Sequence, residues 1–598
     1  MNMHHELLSD IPLIIGFSKK INLTSVLDKA LSVHGNQKGL SNAQVVLVWL
    51  SHILTQNNHC KSPVNDWVSK HKLALEASLN IKISETDFDD MKLSRLLNKF
   101  ADDNTWEMLE SLFYKDSFSI LDLNTNVPDY FKENSSSTNE IRMALKIDST
   151  TAYGHHDVKE NGIMQKGWSK DHRPDLPQVK MMVSVEGNTG LQIASNVVSG
   201  NQNDDILYIP ILENTRKIMD TKNSLICGDS KMSSISIRAN IVYNSELYLT
   251  PLQLIGDVKK LQSELIEKIV NGDQQAELIW DKDEKDKPKL IGAGFEISRS
   301  LFYEFNNAET LKWNERILLV RSPDHAQNEI LKFDKKIKKF NDALRTFTSK
   351  LCDSEEKSNL DFLKKFEEIK DDKTLIFFEY RIETVIEMNK KKSQKKSKDS
   401  VEEVFINRKR YRTKIVEVCE RTDLLNAQRH QIGWRLYVTN AKKENLTFSS
   451  AYKYYRKTMY VIEIGFHVLK DYINISPLFV SNEKQILGLT RLLILALKIL
   501  TLMTAYIRKN MKNENIVLEG LYAGQPARKH PAPTAQCCLE YCSRQSIGLV
   551  GCKVQDSWHW GISPLTTQCK AILELLKIPN VYDEILAYVN NEMSPPFS

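Results

Sequence analysis

The chain has 598 residues, of which 41% are hydrophobic and 26% are charged, a composition typical of a folded globular protein rather than a disordered or fibrous one. This length exceeds what a single hydrophobic core supports and predicts roughly three to five structural units. The formal net charge of +5 neither requires nor excludes a nucleic-acid partner, because a large protein can confine its positive charge to one groove.

The first 131 residues carry helical patterns. The opening stretch "MNMHHELLSDIPLIIGF" is acidic and short of a continuous apolar core, so we expect that it is no signal peptide. In "SNAQVVLVWLSHILTQ", Ser41 is a candidate N-cap, followed by residues that place apolar side chains on broad helical faces. We therefore expect an all-helical N-terminal domain over 1–131, ended by the polar linker Lys132–Glu140.

Residues 140–251 change to strand patterns. "MALKIDSTT", "VKMMVSVE" and "LQIASNVV" alternate as strands, and the last two are joined by the hairpin turn "GNTG". A helical segment, the strand "SLICGD", a helix capped by Ser230 and the strand "ELYLT" follow. The order βββ-α-β-α-β predicts an α/β fold with a mixed sheet flanked by helices.

That order is interrupted over residues 252–440. Long charged helical stretches alternate there with short strands, which predicts an inserted α+β subdomain. The run Asn389–Lys398 carries six lysines and nothing apolar, so we expect a mobile loop. The core is expected to resume over 441–515, and 516–598 form a C-terminal region.

One segment, Ile486–Ile507, is apolar enough to suggest a membrane span. Arg491 and Lys498 interrupt it and leave no uncharged run long enough to cross a bilayer. A buried helix packed against a sheet is the better interpretation. We expect a cytoplasmic protein with no membrane partner.

The nine cysteines show no paired spacing. The cluster Cys537, Cys538, Cys542 and Cys552 lacks the C-x2-C pattern of a zinc site. Free thiols in a reducing cytosol are favoured over a zinc site here.

Three carboxylates occupy places where chemistry is expected. Asp148 lies on the first strand of the sheet, Asp229 ends the fourth strand, and Glu463 lies on the long helix that follows the insertion. The first and fourth strands of this fold order are neighbours, so two carboxylates can converge at one edge and the helix can supply the third. Such oxygen ligands suit Mg²⁺, and two ions about 3.5–4 Å apart can drive an in-line phosphoryl displacement.

The helix around Glu463 also carries basic groups. Arg456, His467 and Lys470 lie four or seven residues from Glu463, on the same helical face. Basic groups beside a metal-binding carboxylate suit a nucleic-acid backbone, where phosphate contacts position the substrate.

Several segments, in order from about residue 140 to 510, resemble the DDE transposases of bacterial insertion sequences. They are "KIDSTTAYG", "KGWSKDHRPDLPQVKMMVSV", "LQIASNVVSGNQND", "ICGDSKMSS", "GWRLYVTN" and "YYRKTMYVIEIGFHVLKD". The resemblance implies an RNase H-like core with a β-containing insertion. It also implies a catalytic triad of Asp148, Asp229 and Glu463 holding two Mg²⁺ ions, with Mn²⁺ as a substitute.

The same resemblance implies partners. The N-terminal domain would bind element ends of double-stranded DNA, and paired ends imply at least a homodimer. Lys470 matches the lysine of the family's Y-x2-R-x3-E-x6-K signature, whereas Met459 stands at its arginine position and Arg456 at its tyrosine position. The alternatives are a nuclease without strand transfer and a transposase-derived DNA-binding protein without activity.

The loop after the first strand holds further candidates. Lys170, His172 and Arg173 are either ordinary polar loop residues or DNA contacts at the edge of the site. His155 and His156 are better explained as turn residues than as metal ligands, because Mg²⁺ favours oxygen.

Overall fold

The computed structural model describes residues 2–31, 39–123, 141–283, 286–306, 308–397, 400–554 and 557–592. The linker predicted at 132–140 lies outside these residues. The chain divides into two compact units. The first comprises Met1–Gln253, Ser298–Arg316 and Val438–Ser598, and the second comprises Leu254–Ile297 and Ile317–Tyr437.

The N-terminal segment of the first unit is helical after one short strand, β1 (Asn2–Leu7). Its described residues form seven helices: α1 (Ile11–Lys20), α2 (Leu23–Ala30), α3 (Asn42–Gln56), α4 (Val64–Lys70), α5 (Lys72–Leu79), α6 (Asp90–Phe100) and α7 (Asp103–Leu121). Ser41 caps α3 as predicted: its hydroxyl accepts a hydrogen bond from the Gln44 amide at 3.2 Å, and the Gln44 side chain accepts one from the Ser41 amide at 2.8 Å.

The strand β1 was not predicted. It pairs antiparallel with β15 (Gly548–Val554), near the other end of the chain. Such a pairing leaves no local pattern in a six-residue stretch, and β15 pairs in turn with β16 (Ser557–Ile562).

The central sheet confirms the predicted order βββ-α-β-α-β. Its elements are β2 (Met143–Tyr153), β3 (Gln178–Glu186), β4 (Gln192–Ser199), α8 (Tyr208–Ile218), β5 (Ser224–Cys227), α9 (Ile235–Tyr243) and β6 (Leu247–Pro251). The strands β2, β3 and β4 are antiparallel neighbours, whereas β5 runs parallel to both β2 and β6. The predicted cap of α9 was wrong: Ser234 caps it, and Ser230 begins a separate 3-10 turn over Ser230–Ser233.

The sheet has nine strands in the order β4-β3-β2-β5-β6-β12-β9-β8-β7. The later strands are β7 (Glu277–Lys282), β8 (Pro288–Glu304), β9 (Thr310–Arg321) and β12 (Trp434–Thr439). A large mixed sheet flanked by helices is therefore the architecture of the chain, as the α/β prediction required.

The second unit combines helices with a long hairpin. Its helices are α10 (Gly256–Val270), α11 (Pro323–Thr346), α12 (Glu355–Lys370) and α13 (Thr422–Gln431). Its core is rich in phenylalanine and comprises Ile337, Leu344, Phe362, Phe366, Phe377, Phe378, Ile415, Val418 and Leu425.

The hairpin pairs β10 (Phe378–Ser397) with β11 (Ser400–Glu420). The loop predicted over Asn389–Lys398 was therefore wrong, because the backbone of its described residues continues β10 as far as Ser397. Pairing to a partner strand supplies the backbone hydrogen bonds that the lysine-rich composition does not suggest.

After β12 the chain is mainly helical. The elements are α14 (Phe448–Thr458), α15 (Tyr460–His467), α16 (Glu483–Glu514), β13 (Leu518–Glu519), β14 (Lys529–His530), α17 (Ala535–Arg544), α18 (Thr567–Leu575) and α19 (Val581–Glu592). A π-helical turn, Val468–Tyr472, continues α15. Turns of this type are rare and often occur at functional sites.

The helix α16 is buried, as predicted. By length and composition it could cross a membrane, but 89% of its most apolar window is covered by the rest of the protein. The two cations of its apolar segment, Ile486–Ile507, also have protein partners: Arg491 pairs with Asp103, and Lys498 lies 3.1 Å from Glu110 and donates to the Gln192 carbonyl at 2.9 Å. Charges that argued against a bilayer are thus neutralised inside the fold.

Asp10, at the start of α1, is a buried carboxyl group whose ionisation should destabilise the fold. Burial raises its pKa from 3.8 to about 7, and one side-chain oxygen has no hydrogen-bond partner among the described residues. Between about pH 4 and pH 7 the native state holds a proton that the unfolded state releases. The stability is therefore fully present below the unfolded pKa and is lost as pH rises through the native pKa.

We expect Asp10→Asn to stabilise the protein by about 2–4 kcal/mol at about pH 8 and to have little effect near pH 4. Urea denaturation at the two pH values measures this difference. The exposed Asp28 on α2 provides the control, because Asp28→Asn should change stability little at either pH. Equal effects of Asp10→Asn at both pH values would contradict the prediction.

Candidate active site

Two predicted aspartates lie beside each other just beyond the parallel pairing of β2 with β5, Asp148 within β2 and Asp229 after the end of β5. In the β2–β5 register, Lys146 is opposite Cys227. Asp148 and Asp229 each follow this pair by two residues, so they lie at the same level of the sheet. The negative charge of Asp229 raises the pKa of Asp148, so the two carboxylates are close enough to interact.

Asp148 is largely enclosed and has a cationic neighbour. Its Oδ1 accepts hydrogen bonds from the Ser149 amide at 2.7 Å and from the Lys170 ammonium at 3.0 Å. Burial raises the pKa of Asp148, Lys170 opposes that increase, and the charge of Asp229 adds to it. This carboxylate therefore favours a nearby positive charge more strongly than an exposed aspartate does.

Asp229 is fixed by three hydrogen bonds. Its Oδ1 accepts from the Tyr208 hydroxyl at 2.7 Å and from the Lys231 amide at 2.9 Å, and its carbonyl accepts from the Thr250 hydroxyl at 2.7 Å. Burial raises the pKa of Tyr208 well above its usual value, and the charges of Asp229 and Asp148 raise it further. Tyr208 is thus a neutral donor that holds the Asp229 side chain in one orientation.

Lys146 connects β2 to the helix pair that carries Glu463. It is fully buried, donates a hydrogen bond to the Thr458 hydroxyl and lies 4.9 Å from the Tyr454 ring centroid. Burial lowers its pKa to about 8, while the charges of Cys227, Glu186 and Glu463 act in the opposite direction. Because α14 contributes Tyr454 and Thr458, this contact holds α14 on the face of β2 that also presents Asp148.

Glu463 lies on α15, which packs against β2, but its side chain is exposed. In the described part of the chain, no three His, Cys, Asp or Glu side chains are close enough together to hold a metal ion. The oxygen chemistry of Asp148 and Asp229 fits Mg²⁺. The two aspartates are thus brought together, whereas Glu463 is not gathered with them.

The loop between β2 and β3 carries three of the predicted DNA contacts, and each has different surroundings. Lys170 faces Asp148, as described above. Arg173 is at the surface, where its guanidinium pairs with Asp175 at 2.8 Å and lies 5.3 Å from the Tyr153 ring centroid. His172 is exposed and adopts a positive φ of 56°.

Lys470 and His467, two of the three basic residues predicted beside Glu463, have acidic neighbours. Lys470 lies 2.5 Å from Asp171, whose other carboxylate oxygen accepts a hydrogen bond from Thr151 on β2 at 3.0 Å. His467 pairs with Asp471 on the next turn, and Arg456 is exposed on α14. Lys470 is therefore linked to the loop beside Asp148.

Sequence reasoning missed several residues of this site. Tyr208 and Asp204 follow β4, and no local pattern distinguishes them. Asp204 lies 2.7 Å from Lys180, and although burial opposes its ionisation, that contact holds its pKa below the usual value. Lys146 carried a usable signal, since strand alternation places it on the same face as Asp148.

The cysteine cluster does not form a metal site among the described residues, and all nine cysteines are free thiols. Cys542 and Cys569 are both buried, with their sulfur atoms 3.2 Å apart.

No family model and no curated protein matches this chain. Among solved structures, it is similar to a piggyBac transposase in a synaptic complex with hairpin DNA, with a TM-score of 0.24 and 11% sequence identity. The match covers 50% of this chain and 60% of that chain.

Proposed function

We propose that this chain is a DNA transposase that uses Asp148 and Asp229 to cleave element ends and to join them to target DNA. The supporting observation is the adjacent pair of aspartates just beyond the parallel pairing of β2 with β5. The strand order β4-β3-β2-β5-β6 agrees with the RNase H-like core that the sequence resemblance implies.

In this proposal, Asp148 and Asp229 hold Mg²⁺, with Mn²⁺ as a substitute, and Glu463 is the third ligand. Bound ions of this kind activate a nucleophile and stabilise the leaving oxygen of a phosphoryl displacement. Tyr208 orients Asp229. Lys170 neutralises Asp148 and becomes available to a phosphate when a metal takes its place on that carboxylate.

The substrate in this proposal is double-stranded DNA, first the element ends and then the target. Lys170, His172 and Arg173 on the loop would contact its phosphates, together with Arg456 on α14, His467 on α15 and Lys470 on the π-helical turn. Because two ends are joined in one reaction, a homodimer is the proposed working form.

A second candidate is a transposase-derived DNA-binding protein without turnover, or a nuclease without strand transfer. Two observations favour it: Met459 stands at the signature's arginine position, and Glu463 is exposed on α15. Metal-independent DNA binding with no cleavage would support the inactive form, whereas cleavage without joined products would support the nuclease.

The test is an assay of the purified chain on a plasmid that carries its coding region and flanking DNA. We expect cleavage and strand-transfer products with Mg²⁺ or Mn²⁺, and none after chelation, because the uncompensated aspartates cannot stabilise the developing negative charge. A labelled oligonucleotide with a free 3′-hydroxyl separates strand transfer from simple cleavage. Cleavage that persists undiminished in excess chelator would contradict the proposal.

A further inference from the structure

Trp168 is the most exposed large apolar side chain among the described residues, at 84%. It lies between β2 and β3, with Gly167 and Ser169 on either side. An indole left almost entirely in water contributes nothing to the core. Its position therefore needs another explanation.

The backbone beneath Trp168 is held firmly. The Gln178 side-chain amide donates to the Trp168 carbonyl at 2.9 Å. Gln165 and Gln178 exchange two backbone hydrogen bonds, at 3.1 and 3.0 Å. At Gly167, a Cβ atom would lie 2.2 Å from the Gly200 carbonyl oxygen, so a close backbone approach fixes the loop there. The indole is thus presented to solvent from a well-anchored backbone.

The loop that carries Trp168 is rich in basic residues. Lys166 is exposed two residues earlier, and Lys170, two residues later, donates to Asp148 at 3.0 Å. Arg173 follows on the same loop. A protein-binding hot spot would place the indole within an apolar patch, whereas aromatic side chains among cations are typical of surfaces for single-stranded nucleic acid.

We propose that Trp168 stacks on an unpaired DNA base beside the cleavage site, an inference that rests on the proposed function. Stacking accepts any base, because every base has a π face. Lys166 and Arg173 would hold the flanking phosphates. Because Lys170 lies two residues from Trp168 and donates to Asp148, the stacked base would lie near that carboxylate. The ligand class is single-stranded DNA at a strand end or an opened base pair.

The test compares two DNA probes: a duplex with a 3′ overhang that contains 2-aminopurine, and the matching blunt duplex. Binding and 2-aminopurine fluorescence are measured without divalent metal, so that neither readout needs turnover. We expect Trp168→Ala to weaken binding of the overhang duplex about tenfold and to remove the fluorescence quenching, while binding of the blunt duplex is unchanged.

Two variants serve as controls. Trp168→Phe keeps an aromatic face and should retain most of the binding and quenching. Trp280→Ala removes another exposed indole, 50% exposed, and should behave as the wild type. The proposal is overturned if Trp168→Ala binds the overhang duplex as the wild type does, or weakens both duplexes equally.

The proposed function is tested separately, by the cleavage assay on the same protein preparations. Loss of stacking in Trp168→Ala, with no metal-dependent cleavage by the wild type, would uphold the stacking site and overturn the transposase proposal. Metal-dependent cleavage with no stacking loss would overturn only the stacking site.

Discussion

Asp148→Asn and Asp229→Asn should each reduce Mg²⁺-dependent DNA cleavage by at least about 100-fold, with DNA binding retained. Each substitution keeps the side chain's shape and removes its negative charge. A loss of about 3 kcal/mol or more of transition-state stabilisation corresponds to that factor. Single-turnover cleavage and gel-shift binding measure the two quantities.

The two substitutions should leave the fold intact for specific reasons. In the wild type, Asp229 Oδ1 accepts from the Tyr208 hydroxyl at 2.7 Å and from the Lys231 backbone N–H at 2.9 Å. The side-chain oxygen of the asparagine in Asp229→Asn can accept both hydrogen bonds. In Asp148→Asn, Lys170 keeps its hydrogen bond to the Ser149 carbonyl at 2.5 Å. A fall in activity would then report chemistry rather than unfolding.

A matched control is Asp220→Asn. Asp220 is an exposed carboxylate that lies 2.7 Å from the exposed Arg142, and such surface ion pairs contribute little to folding stability. The Asp220→Asn variant should cleave DNA at the wild-type rate. Wild-type cleavage by either Asp148→Asn or Asp229→Asn would contradict the assignment of that residue.

Glu463→Gln tests the third ligand independently. The proposal expects a loss comparable to that of the aspartate variants, although the side chain is exposed in this structure. If Glu463→Gln cleaves normally while the aspartate variants do not, Glu463 is removed from the site and the aspartate pair stands alone.

The second large effect is on stability: Lys498→Met is expected to destabilise the protein by about 3–5 kcal/mol. Lys498 is fully buried and lies 3.1 Å from Glu110, which is also buried and which accepts a hydrogen bond from the Ser195 hydroxyl at 2.8 Å. Burial raises the pKa of Glu110 and lowers that of Lys498, and each charge opposes the shift of the other. Removing the lysine leaves a carboxylate without its cation.

Urea denaturation of the single variants and of the double variant Lys498→Met/Glu110→Gln measures this coupling. The double variant should recover part of the loss, because no unpaired charge remains. Lys70→Met is the control, since Lys70 and Asp66 form an exposed pair on α4 and should contribute less than about 1 kcal/mol. Additive losses in the double variant would show that the two charges do not stabilise each other.

Local patterns in the sequence predicted the features that neighbouring residues determine. The capping box at Ser41, the alternation of β2, β3 and β4, and the position of Asp229 after β5 each depend on residues close in the chain. Strand alternation also fixed which face of β2 carries Asp148. From these, the order of the central sheet and the meeting of Asp148 with Asp229 followed.

Tertiary structure alone decided the contacts between distant residues. The continuation of β10 through the lysine-rich run depends on its pairing with β11. The pairing of β1 with β15 and the partner of Lys498 involve residues far apart in the chain. The hydrogen bond from Tyr208 to Asp229 and the exposed position of Glu463 also depend on tertiary packing. The sequence by itself determined which residues could do chemistry, because residue type and strand period are local. Which of them meet was decided by packing, since backbone pairing and burial of charge are satisfied between segments that no local pattern connects.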